Sequence, residues 1–311
     1  MYKEQSAMTH SSDAQTTLKA STEQEQAEQQ GIVEVAFQGE RGAFGDEAAR
    51  HYFGQKEAQG IKRRVSPIPC RSFADVFRAV ASGEVDYGLV PVENSQAGSI
   101  NDTYDLLSQH DLFIIGEISH QVNQCLLCLK GQELKDIKRV ISHPQALAQS
   151  DAYLRELGVE IVATYDTAGS ARMIRDEQLM GVAAIAPVGA AEIYDLDILS
   201  RNIQTIKGNY TRFIALGREP AARVEGQSKT MLVMATSHQP GSLYKCLGYL
   251  AANEINLLKL ESRPSRQRAW EYVFYLDFEG HRDDAPVRKA LAELAEHTTF
   301  CKVLGSFVRT V

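Results

Sequence analysis

Apolar residues gather into short continuous runs that alternate with stretches where they recur every three or four positions. Residues 32–37, IVEVAF, predict a buried strand, and GERGAFGDEAARHYFG after it predicts a glycine turn and a helix stopping at Gly54. The pattern repeats in SFADVFRAVASGEVDYGLVPVENS. There, apolar positions from Phe73 to Val80 keep helical spacing, Gly83 ends the helix and YGLVPV predicts a strand. Such repetition predicts α/β units around a parallel sheet.

Beyond a helix near INDTYDLLSQH, the runs LFIIGEI, QCLLCLK and KRVISH predict strands. A helix through PQALAQSDAYLREL, a strand VEIVATY, a helix TAGSARMIRDEQL and a strand GVAAIAP follow. This second block is expected to end near Leu199, and RFIALG to return to the first. Two lobes result, residues 31–110 with 201–217 and residues 111–200, with a cleft between them. After a linker at 218–228 the rhythm changes. Residues 229–311 read as strand, helix, strand, strand, helix, strand, the ferredoxin-like order. Residues 1–30 are polar and offer little to bury, which predicts a mobile tail.

A chain of 311 residues suits two or three domains. A formal net charge of −7 without a long Lys/Arg block argues against nucleic acid or an anionic membrane as partner. No apolar run approaches the roughly 18 residues of a membrane span, and the start lacks a signal-peptide core. Five scattered cysteines suit a reducing cytoplasm. Cys125 and Cys128 form a CxxC inside a predicted strand, where positions three apart face opposite ways, so two core cysteines are expected rather than a metal site. The histidines show no metal-binding spacing, and no metal or cofactor is expected.

Gly39, Gly42 and Gly45 follow a strand and precede a helix, where exposed N–H groups hold anions; the spacing differs from the dinucleotide fingerprint. Glu93, Asn94 and Ser95 follow the C-terminal end of a strand, where open α/β sheets bind ligands, although a turn with Asn and Ser caps accounts for them equally well. In ISHPQALAQ, Ser142 reads as a helix N-cap with Gln145 completing a capping box, and His143 as a loop or cap residue. Gln149, two turns along on nearly the same face, is not explained by capping. In GNYTRF, strand alternation puts Thr211 and Phe213 on one face and Arg212 on the other.

These stretches resemble the prephenate dehydratase family, which includes the arogenate dehydratases, from about Val33 to Phe307. VPVENSQAGSINDTYDLL, SHPQALAQ, YDTAGSA, AAIAPVGAAEIYDLDIL and NYTRF occur in the family's order, and LESRP follows in its regulatory ACT domain. The resemblance implies two α/β lobes like a type II periplasmic binding protein, an active site in the cleft and a βαββαβ ACT domain behind. It implies decarboxylating dehydration of prephenate to phenylpyruvate, or the corresponding reaction of arogenate. Thr211 becomes the catalytic hydroxyl, with Glu93 and Asn94 beside it. Ser95, Ser142, His143, Gln149, Thr167, Arg212 and Phe213 become substrate contacts, with pairing inside its own lobe as the alternative for Arg212. Phenylalanine is implied as effector between ACT domains of a homodimer or homotetramer, at Gly241, Ser242, Leu243, Asn256, Glu261, Ser262, Arg263 and Pro264. Glu40 stands where the family often has Pro, and Tyr244 departs from its Gly-Ala-Leu-Val. A noncatalytic amino-acid sensor is the competing reading, and the retention of Thr211, Asn94 and Gln149 argues against it.

Overall fold

The computed structural model describes residues 31–55, 64–265 and 271–310; the polar stretch 1–30, expected as a tail, lies outside them. The first lobe runs through β1 (Ile32–Gln38), α1 (Phe44–Gln55), β2 (Arg64–Cys70), α2 (Phe73–Ser82), β3 (Tyr87–Asn94), β4 (Gly98–Ser99), α3 (Asn101–Gln109) and β5 (Phe113–Gln121). α2 forms where helical spacing predicts it. Ser72 and Asp75 make a reciprocal capping box at its start, and Gly83, at φ 79°, closes it. β2 escapes the apolar pattern because Pro67 and Pro69 interrupt it. It lies at the sheet edge and pairs only with β1, where missing N–H groups cost no ladder bond.

The second lobe comprises β6 (Cys125–Cys128), β7 (Arg139–Ser142), α4 (Pro144–Gln149), α5 (Asp151–Leu157), β8 (Glu160–Ala163), α6 (Thr167–Glu177), β9 (Val182–Ala186), α7 (Val188–Tyr194) and β10 (Asp197–Arg201). Its strand order is β10-β6-β9-β7-β8. On β6, Cys125 and Leu127 pack into one core while Leu126 and Cys128 pack into the other, so the two thiols face opposite sides of the sheet. Burial pushes the Cys128 thiol up to about 11.

The chain then returns to the first lobe as β11 (Tyr210–Gly217), giving the order β2-β1-β3-β11-β5 with β4 beside β3. β5, expected in the second lobe, belongs here instead. It pairs antiparallel with β11 from Gln121 opposite Tyr210 to Phe113 opposite Gly217. The lobes are therefore joined through 122–124 and 202–209.

The C-terminal domain follows the expected order: β12 (Ser228–Ala235), α8 (Ser242–Ala252), β13 (Leu257–Pro264), β14 (Tyr272–Glu279), α9 (Ala285–His297) and β15 (Phe300–Val308). Its antiparallel sheet is ordered β13-β14-β12-β15. Both faces of this sheet are covered. Leu232 and Met234 pack with α8 and α9, whereas Met231 and Val233 join the core of the first lobe. Gly305 permits the closest approach, since a Cβ there would lie 2.0 Å from the Ile114 carbonyl oxygen on β5. The sheet of the C-terminal domain thus rests directly on the strands that build the cleft.

Candidate active site

A cavity of about 770 Å³ opens between the lobes, walled by β3, β11 and the α3 start on one side and by the loops before α4 and α6 on the other. Thr211 lies in its wall, 8% exposed, with Asn94 of β3 as one register partner and His120 of β5 as the other. Thr211 and Phe213 both line the cavity, as strand alternation predicts.

Asn94 is locked in one orientation. Its Oδ1 accepts the backbone N–H groups of Gln96 (3.1 Å) and Ala97 (2.9 Å), which leaves Nδ2 as the donor. Nδ2 donates to Asn209 Oδ1 (2.8 Å) and Thr211 Oγ1 (3.0 Å). Because Asn94 fills a lone pair of Oγ1, the Thr211 hydroxyl is polarised and its own proton is free to turn toward the cavity. Asn209 is fully buried and orients this pair. It sits inside the NYTRF motif, yet its role shows only once the strands are paired.

Thr167 begins α6 and lines the opposing wall, with His143 nearby. His143, not Ser142, caps α4, its Nδ1 accepting the N–H of Gln145 at 3.2 Å. Ser142 is fully buried inside the second lobe and donates to the Ile185 carbonyl (2.7 Å), so both its expected roles, cap and substrate contact, are corrected. Gln149 accepts from Gln124 (3.3 Å) and lines a neighbouring pocket with Thr205, outside the cleft cavity. Ser95 is exposed; its Oγ accepts the N–H of Tyr210 at 2.9 Å and pins the β3 turn to β11.

Glu93 and Arg212 need larger corrections. Each neighbours a cavity residue along its strand and therefore points to the other face, toward the C-terminal domain. Glu93 pairs with Lys259 at 2.9 Å, and Arg212 Nη2 donates to Asp277 at 2.7 Å. Glu117, fully buried on β5, receives Lys229 Nζ at 2.9 and 2.8 Å. Burial opposes the charge on Arg212, but Asp277, Tyr104 and Glu117 together outweigh it and the guanidinium pKa is raised. Neither Glu93 nor Arg212 reaches the cavity; Arg212 makes its shortest pair across domains, with Asp277, and longer ones inside its own lobe, with Glu117 at 3.8 Å and Glu93 at 3.9 Å.

The loop after β1 grips the second lobe. Glu40 receives Arg172 Nη1 (2.8 Å) and the Tyr165 hydroxyl (3.1 Å), while Glu47 on α1 accepts the N–H of Gly189 (2.8 Å) in the second lobe and lies 3.2 Å from the His120 ring Nε2 in its own. Gly42, at φ +81°, is required by this contact, since a Cβ would lie 2.7 Å from the Ala190 Cα. Tyr165, read from the sequence as the end of a strand, and Asp166, which falls between that strand and the next helix, also line the cavity.

Residues 35–221 match the prephenate dehydratase family, and residues 230–296 match the ACT domain. The chain belongs to the prephenate dehydratase family. The chloroplastic arogenate dehydratase/prephenate dehydratase 2 of Arabidopsis thaliana is 42% identical over 287 residues, covering 88% of this chain and 72% of its own length. A solved prephenate dehydratase from Arthrobacter aurescens in complex with L-Phe superposes with a TM-score of 0.78 at 31% identity, covering 89% of this chain and 90% of that one. GqqA, described as a novel type of quorum quenching acylase, superposes with a TM-score of 0.80 at 35% identity, covering 89% of this chain and 98% of that one.

In the ACT domain, Gly241, Ser242 and Leu243 line a pocket of about 350 Å³ with the 236–239 loop, Tyr272 and Phe274. The other expected effector residues lie elsewhere in the chain. Glu261 accepts from Ser99 Oγ (2.5 Å) and Arg263 pairs with Asp105 (3.2 Å), anchoring β13 to the first lobe. Ser262 and Pro264 alternate with them and are exposed, as is Asn256. Within one chain the β13 residues do not line this pocket, although Ser262 and Pro264 lie opposite its Phe274 and Tyr272 on β14.

Proposed function

We propose that the cleft converts prephenate to phenylpyruvate, and arogenate to phenylalanine, by loss of carbon dioxide and water. The observation that carries this reading is the Asn94 to Thr211 hydrogen bond, which leaves the hydroxyl proton free to turn toward the cavity. In the reaction the bond from the ring to its carboxylate breaks, and that electron pair becomes a ring double bond. The double bonds shift, and the C4–O bond breaks with its electron pair on oxygen. Aromatisation drives the process, so the protein needs only to stabilise departing hydroxide, which takes up a proton and leaves as water. A hydrogen bond from Thr211 does this as charge develops on that oxygen. The backbone N–H groups that open α3, which has no side-chain cap, border the cavity and suit a substrate carboxylate. Incubation of the purified protein with prephenate and with arogenate tests the reading. One aromatic product and one carbon dioxide per substrate consumed is expected from at least one of them, and absence of both products from both substrates overturns it.

Phenylalanine serves as effector. The Gly241–Leu243 pocket supplies one wall, and the exposed Ser262 face of β13 from a second copy supplies the other, so the working unit is a homodimer or homotetramer; its scattered cysteines suit the cytoplasm. The ACT sheet contacts the strands carrying Thr211 and Asn94 through the Arg212–Asp277 and Glu93–Lys259 pairs, which gives effector binding a physical route to the cleft. Calorimetry should show phenylalanine binding that weakens when a cleft ligand is present, as linkage requires for an inhibitor. No binding would remove the effector site, and unchanged affinity would remove the coupling.

A further inference from the structure

The acids lining the cleft are Asp102, Asp105 and Asp166 among the described residues. Asp105 is held by Arg263, and Asp102 is exposed on the first turn of α3. Asp166 differs from both. It lies in the opposing wall as the N-cap of α6, with Oδ1 accepting the N–H of Gly169 at 2.7 Å. Its Oδ2 is turned toward Gly39, where a Cβ would stand 3.5 Å away. Arg172 is committed to Glu40, and His143, which lines the same wall, caps α4; Asp166 forms no ion pair with either among the described residues. Burial pushes its carboxyl up, and Glu40 adds to this, against the pull of the Gly169 and Ala168 N–H groups and of His143.

An unpaired carboxylate is unfavourable beside a substrate that brings only negative charge. It becomes an asset if the substrate brings an ammonium group. Prephenate and arogenate differ only there, as a keto group in one and an ammonium in the other. The leaving hydroxyl and the side chain are para to each other on the ring. A substrate with its hydroxyl at Thr211 in the first lobe therefore directs its side chain across the cleft, toward the wall that holds Asp166.

Resting on the reaction proposed above, we propose that Asp166 is the specificity-determining carboxylate: its second oxygen receives the α-ammonium of arogenate, which the cleft therefore prefers over prephenate. The test compares kcat/KM for both substrates in the wild type, Asp166→Asn and Asp166→Ser, with melting temperatures alongside. Both replacements keep an acceptor for the Gly169 N–H, so the helix cap survives while the charge is lost. The wild type should favour arogenate by at least about tenfold. In both variants the arogenate value should fall about 10- to 100-fold, mainly through KM, while the prephenate value falls far less or rises. An unchanged ratio, an equal fall for both substrates, or a wild type that favours prephenate overturns the assignment and leaves the dehydratase reading standing. A wild type that turns over neither substrate defeats that reading itself.

Discussion

Thr211→Ala is expected to lower turnover about 100- to 1000-fold, the range for losing one donor aimed at developing negative charge. The fold should survive the change. Asn94 loses one acceptor but still donates to Asn209 Oδ1 at 2.8 Å and to the Tyr210 carbonyl at 3.3 Å, while its own Oδ1 stays held by Gln96 and Ala97. Steady-state kinetics with a melting curve for the same preparation separates the two effects. A variant that melts like the wild type and turns over at a comparable rate would show that the hydroxyl does not act on the leaving group.

The second large effect concerns stability. Lys229→Met should destabilise the protein by roughly 3–5 kcal/mol, because it strands the fully buried Glu117 carboxylate between the catalytic lobe and the ACT sheet. For a protein of this size that amounts to a fall in melting temperature on the order of 10 °C. Arg212, 3.8 Å from Glu117, replaces little of the loss because Asp277 already occupies it at 2.7 Å. Replacing both partners with apolar residues, Glu117→Leu with Lys229→Met, should cost less than the two single changes added together. A Lys229→Met protein melting within about 2 °C of the wild type would mean that water reaches Glu117 and that the interface is looser than described.

Much of this architecture is written in local pattern. The apolar runs of β1, β3, β9 and β12 announce themselves, and the βαββαβ order of the ACT domain follows from periodicity alone. Alternation within a strand also separates Thr211 and Phe213 from Arg212. What local pattern does not carry is the identity of partners far away along the chain. Arg212 meets Asp277, and Glu93 meets Lys259, only after the third domain docks, so their polar side chains resemble cleft residues until the sheets are assembled. β5 reads as the opening of the second lobe because it precedes β6 closely, whereas its long pairing with β11 assigns it to the first. The cap of α4 moved by one residue because the His143 ring nitrogen reaches the Gln145 N–H while the Ser142 hydroxyl is drawn to the Ile185 carbonyl. Asp166 was hidden by its ordinary role as a helix cap, which uses one of its oxygens and says nothing of the other. Thr211 itself stood out through family resemblance; geometry then supplied the reason, an oriented amide behind its hydroxyl.

In the intact site the Thr211 hydroxyl, oriented by the Asn94 amide, faces the oxygen that leaves. A crystal structure of the Thr211→Ala protein with arogenate bound tests it most directly, since the slowed variant should retain intact substrate. The 4-hydroxyl is expected beside Asn94 Nδ2, in the space vacated by Oγ1, with the side chain extending toward Asp166 on the opposite wall. A substrate seated with its hydroxyl turned away from Asn94 would contradict it.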